Sequence, residues 1–130
     1  MNDLLLKQYI CLIECNNEEI SILANTSAFI MQNFQDISWA GFYLFKNNEL
    51  ILGPFQGKIA CTNIPLDKGV CGKAASTRKT VIVEDVHQFA GHIACDSESN
   101  SEIVIPLIKG NQLYGVFRFR ILHLFKIEFS

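Results

Sequence analysis

The sequence predicts a single α+β domain in which helices flank an antiparallel sheet. The chain has 130 residues, a length that suits one hydrophobic core. Hydrophobic residues make up 49% of it and charged residues 18%, a balance typical of a folded rather than a disordered chain. Two helical patterns come first, and short strands joined by tight turns follow, with one further helix between them. Since no repeat or linker interrupts this order, residues 1–130 are interpreted as one domain.

The first quarter of the chain is predicted to form two helices. Apolar residues recur on one side of residues 3–14, namely Leu5, Tyr9, Leu12 and Ile13. A second helix is predicted to continue to about Phe34. Asn16, followed three residues later by Glu19, is typical of a capping box at its start.

The remaining elements are predicted to be strands and one short helix. Residues 37–45 and 49–52 flank the compact turn Asn47-Asn48 and predict a hairpin. A glycine-opened helix is predicted at 69–76, a short strand at 80–83, and a final hairpin from 102–108 and 112–120. Alternation places Trp39 and Tyr43 on the same face of the first strand. Residues 84–100 lack periodicity, which is typical of a functional or disordered loop.

Composition excludes several classes of function. The net charge of −2 comes from scattered side chains, so neither nucleic acid nor an anionic membrane is an expected partner. No apolar run reaches the ~20 residues of a membrane span, and the first ten residues lack the features of a signal peptide. We therefore expect a cytoplasmic protein. Its five cysteines are then expected to be catalytic, redox-active, metal-binding or buried thiols, and their spacing, without a CxxC pair, argues against a metal site.

Several sequence blocks resemble those of one family, the free methionine-(R)-sulfoxide reductases. The similarity runs in order from about Asn16 to Val116, through residues 39–43 (WAGFY), 52–58 (LGPFQGK), 69–72 (GVCG), 91–96 (GHIACD) and 99–104 (SNSEIV). This resemblance implies a GAF fold around a pocket for the free amino acid, no cofactor, and thioredoxin as reductant. Oligomeric state stays open, a homodimer included.

The resemblance also implies roles for particular residues. Cys95 matches the attacking cysteine, and Cys61 and Cys71 match the two cysteines that can resolve the oxidised intermediate. Trp39 and Tyr43 match aromatic positions near the methyl end of the substrate. A matching carboxylate of the substrate site is Glu102.

The chemistry of sulfoxide reduction asks for such a set. A thiolate must attack the sulfur while an acid protonates the departing oxygen, so Cys95 and Glu102 could form that pair. A second thiol, Cys61 or Cys71, must then condense with the sulfenic acid before it is oxidised further. The alternative interpretation of Trp39 and Tyr43 is an aromatic strand of the core, while Cys11 and Cys15 are expected to be packing residues on the first helix.

The sequence departs from the family after Val116. Two aspartates that face the pocket are expected one residue apart, but the chain has Arg118 and Arg120 there, and residues 117–130 do not predict the family's closing helix. Two unit charges ~4 Å apart interact by ~4 kcal/mol at an effective dielectric constant near 20. Exchanging attraction for repulsion is therefore expected to weaken binding of the substrate ammonium about a thousandfold. This departure keeps two other hypotheses open: a GAF module that binds a small molecule without catalysis, and an inactive, truncated remnant of the reductase.

Overall fold

The computed structural model describes residues 3–15, 17–84 and 101–122. Its elements in chain order are α1 (Asp3–Glu14), α2 (Glu19–Asn33), β1 (Ile37–Lys46), β2 (Glu49–Gly57), β3 (Asn63–Pro65), α3 (Gly69–Thr77), β4 (Val81–Val83), β5 (Ser101–Lys109) and β6 (Gln112–Ile121). The six strands form one sheet in the order β3-β2-β1-β6-β5-β4, and every neighbouring pair is antiparallel. The predicted α+β class is confirmed.

The two longer hairpins have the turn residues that their backbone requires. Asn47 and Asn48 both adopt positive φ angles, 52° and 63°, which asparagine tolerates better than most residues. Gly110 (φ 65°) and Asn111 connect β5 to β6, where Lys109 pairs with Gln112. The hairpins predicted from these turns are therefore confirmed.

Helices cover both faces of the sheet. Helix α2 packs on β1 and β2, and Leu23 and Leu44 line a groove between them. Helix α3 packs on strands β3 to β6, where Val70 and Ala74 join Tyr43 in the hydrophobic core. Because Tyr43 and Leu44 are neighbours in a strand, their side chains point to opposite faces. The core on the α3 side is the one that carries the site described below.

Three details differ from the sequence-based expectation. Helix α2 has Glu18 rather than Asn16 at its N-cap, so the predicted capping box is wrong. Strand β3 was not predicted, because three residues are too few for alternation to be recognised. Strand β2 extends five residues beyond Leu52, through Gly53 and Pro54. Proline tolerates such a position only where its missing N–H is not needed.

Helix α1 lies against α2 without a buried residue of its own. Tyr9 stacks on Phe29, with ring centroids 4.3 Å apart, and its hydroxyl is hydrogen-bonded to Thr26. Leu12, expected on the packed side, is 59% exposed. Among the described residues, no helix is long and apolar enough to cross a membrane. The sequence predicts that residues 117–130 do not form a closing helix. Most of these residues lie beyond residue 122, outside the described part of the chain.

Candidate active site

An aromatic wall forms one side of the site. Trp39 and Tyr43 project from the same face of β1, with ring centroids 6.0 Å apart and planes 22° from parallel. Phe55, on the neighbouring strand β2, stacks on Trp39 at 5.2 Å. Trp39 is 1% exposed and Tyr43 is fully buried. The prediction that Trp39 and Tyr43 share one face of the strand is confirmed. Both residues also belong to the hydrophobic core, so a place in the core and a place in the wall of a site are compatible.

The polar atoms of Trp39 and Tyr43 donate hydrogen bonds to backbone carbonyl groups. The indole N–H of Trp39 donates to the carbonyl oxygen of Lys58 at 3.0 Å. The hydroxyl of Tyr43 donates to the carbonyl oxygen of Cys61 at 2.7 Å. Burial raises the pKa of Tyr43 to about 12, against the lowering effect of the Arg118 charge. This hydroxyl therefore keeps its proton, and its role as donor, at neutral pH.

A buried ionic cluster of three residues faces the wall. Glu102 on β5 lies opposite Arg120 on β6, and Arg120 Nε donates to Glu102 Oε1 at 2.8 Å. Arg118 Nε lies 3.4 Å from the same oxygen. All three residues are at most 5% exposed. Arg118 and Arg120 thus point to one face of β6, as predicted, and they meet a carboxylate there.

The guanidinium of Arg118 covers the aromatic wall. Its Cζ lies 4.0 Å from the Trp39 ring centroid and 5.1 Å from that of Tyr43, within the range of cation–π attraction. A cavity of ≈ 20 Å³ remains beside it, lined by Ile64, Lys68, Gly69, Val70, Cys71, Glu102, Arg118 and Arg120. Such a volume holds about one water molecule. The space between wall and carboxylate is therefore occupied by an arginine of the chain itself.

One of the predicted cysteines, Cys71, lines this cavity, and a second, Cys61, packs against the same hydrophobic core. Cys71, in the first turn of α3, has a free thiol and is 3% exposed, and burial raises its pKa to about 12. Cys61 lies in the connection between β2 and β3 and is disulfide-bonded. Cys95 falls outside the described residues, so the predicted pair of Cys95 with Glu102 stays a prediction.

The sequence did not reveal one residue and one contact of the site, and the prediction for two cysteines was wrong. Phe55 was not identified as part of the wall, although its place in a block similar to the family's was a usable signal. The contact between Arg118 and Cys71 depends on α3 packing over β6, which no sequence pattern reveals. Cys11 on α1 and Cys15 just after it are both exposed, so the prediction that they are packing residues is wrong. An isolated helix pattern of 12 residues does not tell which side meets the rest of the protein.

A six-stranded antiparallel sheet with a helix-covered pocket face is an architecture shared with known proteins. The model of the GAF domain family matches residues 18–124. A free methionine-R-sulfoxide reductase of Escherichia coli K12 is 57% identical over 97 residues, which are 75% of this chain and 59% of that protein. The chain belongs to the GAF domain family.

Two solved structures are similar along nearly the whole chain. The reduced form of fRMsr of Staphylococcus aureus has a TM-score of 0.90 and 51% identity, covering 96% of this chain and 81% of the other. The free methionine-R-sulfoxide reductase of Neisseria meningitidis in complex with its substrate has a TM-score of 0.90 and 40% identity, covering 95% and 75%. The chain thus spans most of these structures but under two thirds of the E. coli relative.

Proposed function

We propose that this protein is an oxidoreductase that reduces free L-methionine-(R)-sulfoxide to methionine. The observation that carries the proposal is the convergence of Trp39, Tyr43 and Glu102 on one face of a GAF sheet, in a chain 40% identical to a reductase whose structure contains its substrate. An aromatic wall suits the sulfoxide methyl group and excludes water. Glu102 supplies the carboxyl group that, when protonated, donates its proton to the departing oxygen.

In the proposed reaction, the Cys95 thiolate attacks the sulfoxide sulfur and Glu102 delivers a proton to its oxygen. Methionine is released and Cys95 becomes a sulfenic acid. A second cysteine then condenses with it to give a disulfide and water, and a thioredoxin-type dithiol reduces the disulfide. The reaction uses the thiols of the chain and of its reductant. Since the cytosol keeps thiols reduced, this is in keeping with a cytoplasmic location.

Cys61 is the proposed resolving cysteine. Cys71 is buried against Arg118, and its raised pKa leaves little of the thiolate that attacks a sulfenic acid. Cys61 lies outside helix and strand and is already disulfide-bonded in this structure. Both facts favour Cys61 over Cys71 for the second step.

The second candidate function is a GAF module that binds a small molecule without catalysis, and the arginines favour it. Arg118 fills the space over the wall, and Glu102 is already ion-paired to Arg120. A substrate ammonium would have to approach two guanidinium groups. The two functions therefore differ in whether this arrangement still admits the sulfoxide.

Incubation with free methionine-(R)-sulfoxide and dithiothreitol, followed by chromatography of methionine, tests the proposed function. We expect turnover that Cys95→Ser abolishes and that Cys11→Ser and Cys15→Ser, at two exposed positions, leave intact. Turnover by the Cys95→Ser protein at the original rate would contradict the mechanism. Binding of the sulfoxide by calorimetry without any turnover would support the non-catalytic module instead.

A further inference from the structure

Residues 58–62, which join β2 to β3 and carry Cys61, are held by hydrogen bonds at three carbonyl groups. Trp39 donates to the carbonyl of Lys58 at 3.0 Å, and Tyr43 to that of Cys61 at 2.7 Å. The backbone N–H of Leu52 donates to the carbonyl of Thr62 at 2.8 Å. This connection has no regular secondary structure, yet its backbone is fixed before, at and after the cysteine.

The bond from Tyr43 is the one that reaches the cysteine itself. Tyr43 is fully buried in β1, a central strand of the sheet, so its ring is a rigid support. The hydroxyl extends from the site face of β1 to a loop, where it meets the backbone of Cys61 rather than open space. A residue of the aromatic wall therefore also holds the backbone of Cys61, the proposed resolving cysteine.

We propose that Tyr43 is a positioning residue for the second chemical step, holding Cys61 where its thiol meets the sulfenic acid on Cys95. The inference rests on the proposed function. In that step a sulfur–sulfur bond forms and the sulfur–oxygen bond of the sulfenic acid breaks, and the hydroxyl leaves as water with the thiol proton. Correct placement matters because condensation competes with further oxidation of the same sulfur.

Oxidation by hydrogen peroxide tests the positioning role without requiring the sulfoxide to bind. The reduced protein is mixed with stoichiometric peroxide and quenched at intervals, and mass spectrometry measures the sulfenic acid, as its dimedone adduct, and the Cys61–Cys95 disulfide. In Tyr43→Phe we expect the sulfenic acid to form within twofold of the wild-type rate and the disulfide to form at least tenfold more slowly. The matched control is Tyr9→Phe, which removes the hydroxyl that bonds Thr26 between α1 and α2, away from Cys61, and should behave as wild type.

A second variant keeps the test decisive if Tyr43→Phe fails to fold. Trp39→Phe removes the donor to Lys58 and should slow disulfide formation at least threefold, again without slowing sulfenic acid formation. An unchanged disulfide rate in the folded variants overturns the inference, and so does an equal slowing of both steps, which would indicate a general structural effect. Failure of the wild-type protein to form any Cys61–Cys95 disulfide would instead overturn the proposed choice of resolving cysteine.

Discussion

Two buried groups, Tyr43 and Cys71, hold their protons far more tightly than the same groups do in an unfolded chain. Both pKa values lie at about 12, against ordinary values of 10.0 and 9.0, and burial is the main cause for each. Below pH 9 both groups are protonated in the folded and in the unfolded chain, so their full contribution to the free energy of unfolding is present. Above pH 9 these groups ionise first in the unfolded chain. The free energy of unfolding therefore falls progressively up to about pH 12.

This linkage predicts an alkaline effect that Cys71→Ala removes. Between pH 8 and pH 10.5, the wild-type free energy of unfolding should fall by on the order of 1–2 kcal/mol more than that of the variant, since only the wild type has this buried thiol. Urea unfolding at both pH values measures the difference. Cys11→Ala, which removes an exposed thiol, should follow the wild type. Identical pH dependences for Cys71→Ala and wild type would show that Cys71 ionises as easily in the folded state.

The sequence predicted the chemical types of the site residues better than their contacts. Trp39, Tyr43 and Glu102 were identified from blocks similar to one family, and alternation placed the first two on one face. Their hydrogen bonds could not be predicted, because the carbonyls of Lys58 and Cys61 lie in a connection whose path depends on the unpredicted strand β3. The role inferred for Tyr43 became visible only in the structure.

Among the secondary-structure elements, β1 depends on one close approach to β2. Gly41 lies between Trp39 and Tyr43, and the register of β1 against β2 shifts just after it. A Cβ at this position would lie 2.2 Å from Phe55 Cβ and 2.9 Å from the Trp39 ring. The missing side chain therefore lets the aromatic wall stack across two strands. Sequence shows the glycine, but only the strand register shows what it faces.

Gly41→Ala is accordingly expected to destabilise the fold by about 3 kcal/mol, since both neighbours belong to the packed wall and cannot move independently. Gly110→Ala is the comparison: it adds a methyl group to a turn residue of positive φ with no atom within 4 Å of the new Cβ. It should cost only about 1 kcal/mol, from backbone conformation alone. Urea unfolding curves give both values. Equal losses for the two variants would refute the steric role of Gly41.

At the scale of the whole molecule, the two faces of the sheet differ: one packs against a supporting helix and the other carries the candidate site. The α2 side supports the strands, and Ser27 of α2 bonds to the carbonyl of Pro54 in β2. The α3 side encloses the wall, the ionic cluster and Cys71. The sequence predicted this layered fold because hairpin turns and helix patterns are local signals. It also located the departure from the family at Arg118 and Arg120, but not that Glu102 would pair with them inside the pocket.

Replacing both arginines by aspartate, the residue that the resemblance to the reductases implies at these positions, is expected to favour catalysis. In Arg118→Asp/Arg120→Asp, the guanidinium leaves the face of Trp39, and carboxylates replace two positive charges where the substrate ammonium is expected. We expect the catalytic efficiency toward free methionine-(R)-sulfoxide to rise at least tenfold. Three neighbouring carboxylates without a buried cation should also lower the melting temperature, and the sulfoxide should raise it again by binding only the folded state.

Steady-state kinetics and thermal unfolding with and without the sulfoxide measure both effects. Arg78→Asp is the control, because it makes the same change from +1 to −1 at one exposed arginine, which ends α3 and donates to the carbonyl oxygen of Asn111. It should leave efficiency near the wild-type value, which would show that overall charge is not the cause. The contradicting outcome is a folded double variant whose catalytic efficiency is unchanged or lower and which the sulfoxide does not stabilise. It would mean that removing the guanidinium from the face of Trp39 does not create a substrate site. The non-catalytic binding module would then be the better account of this chain.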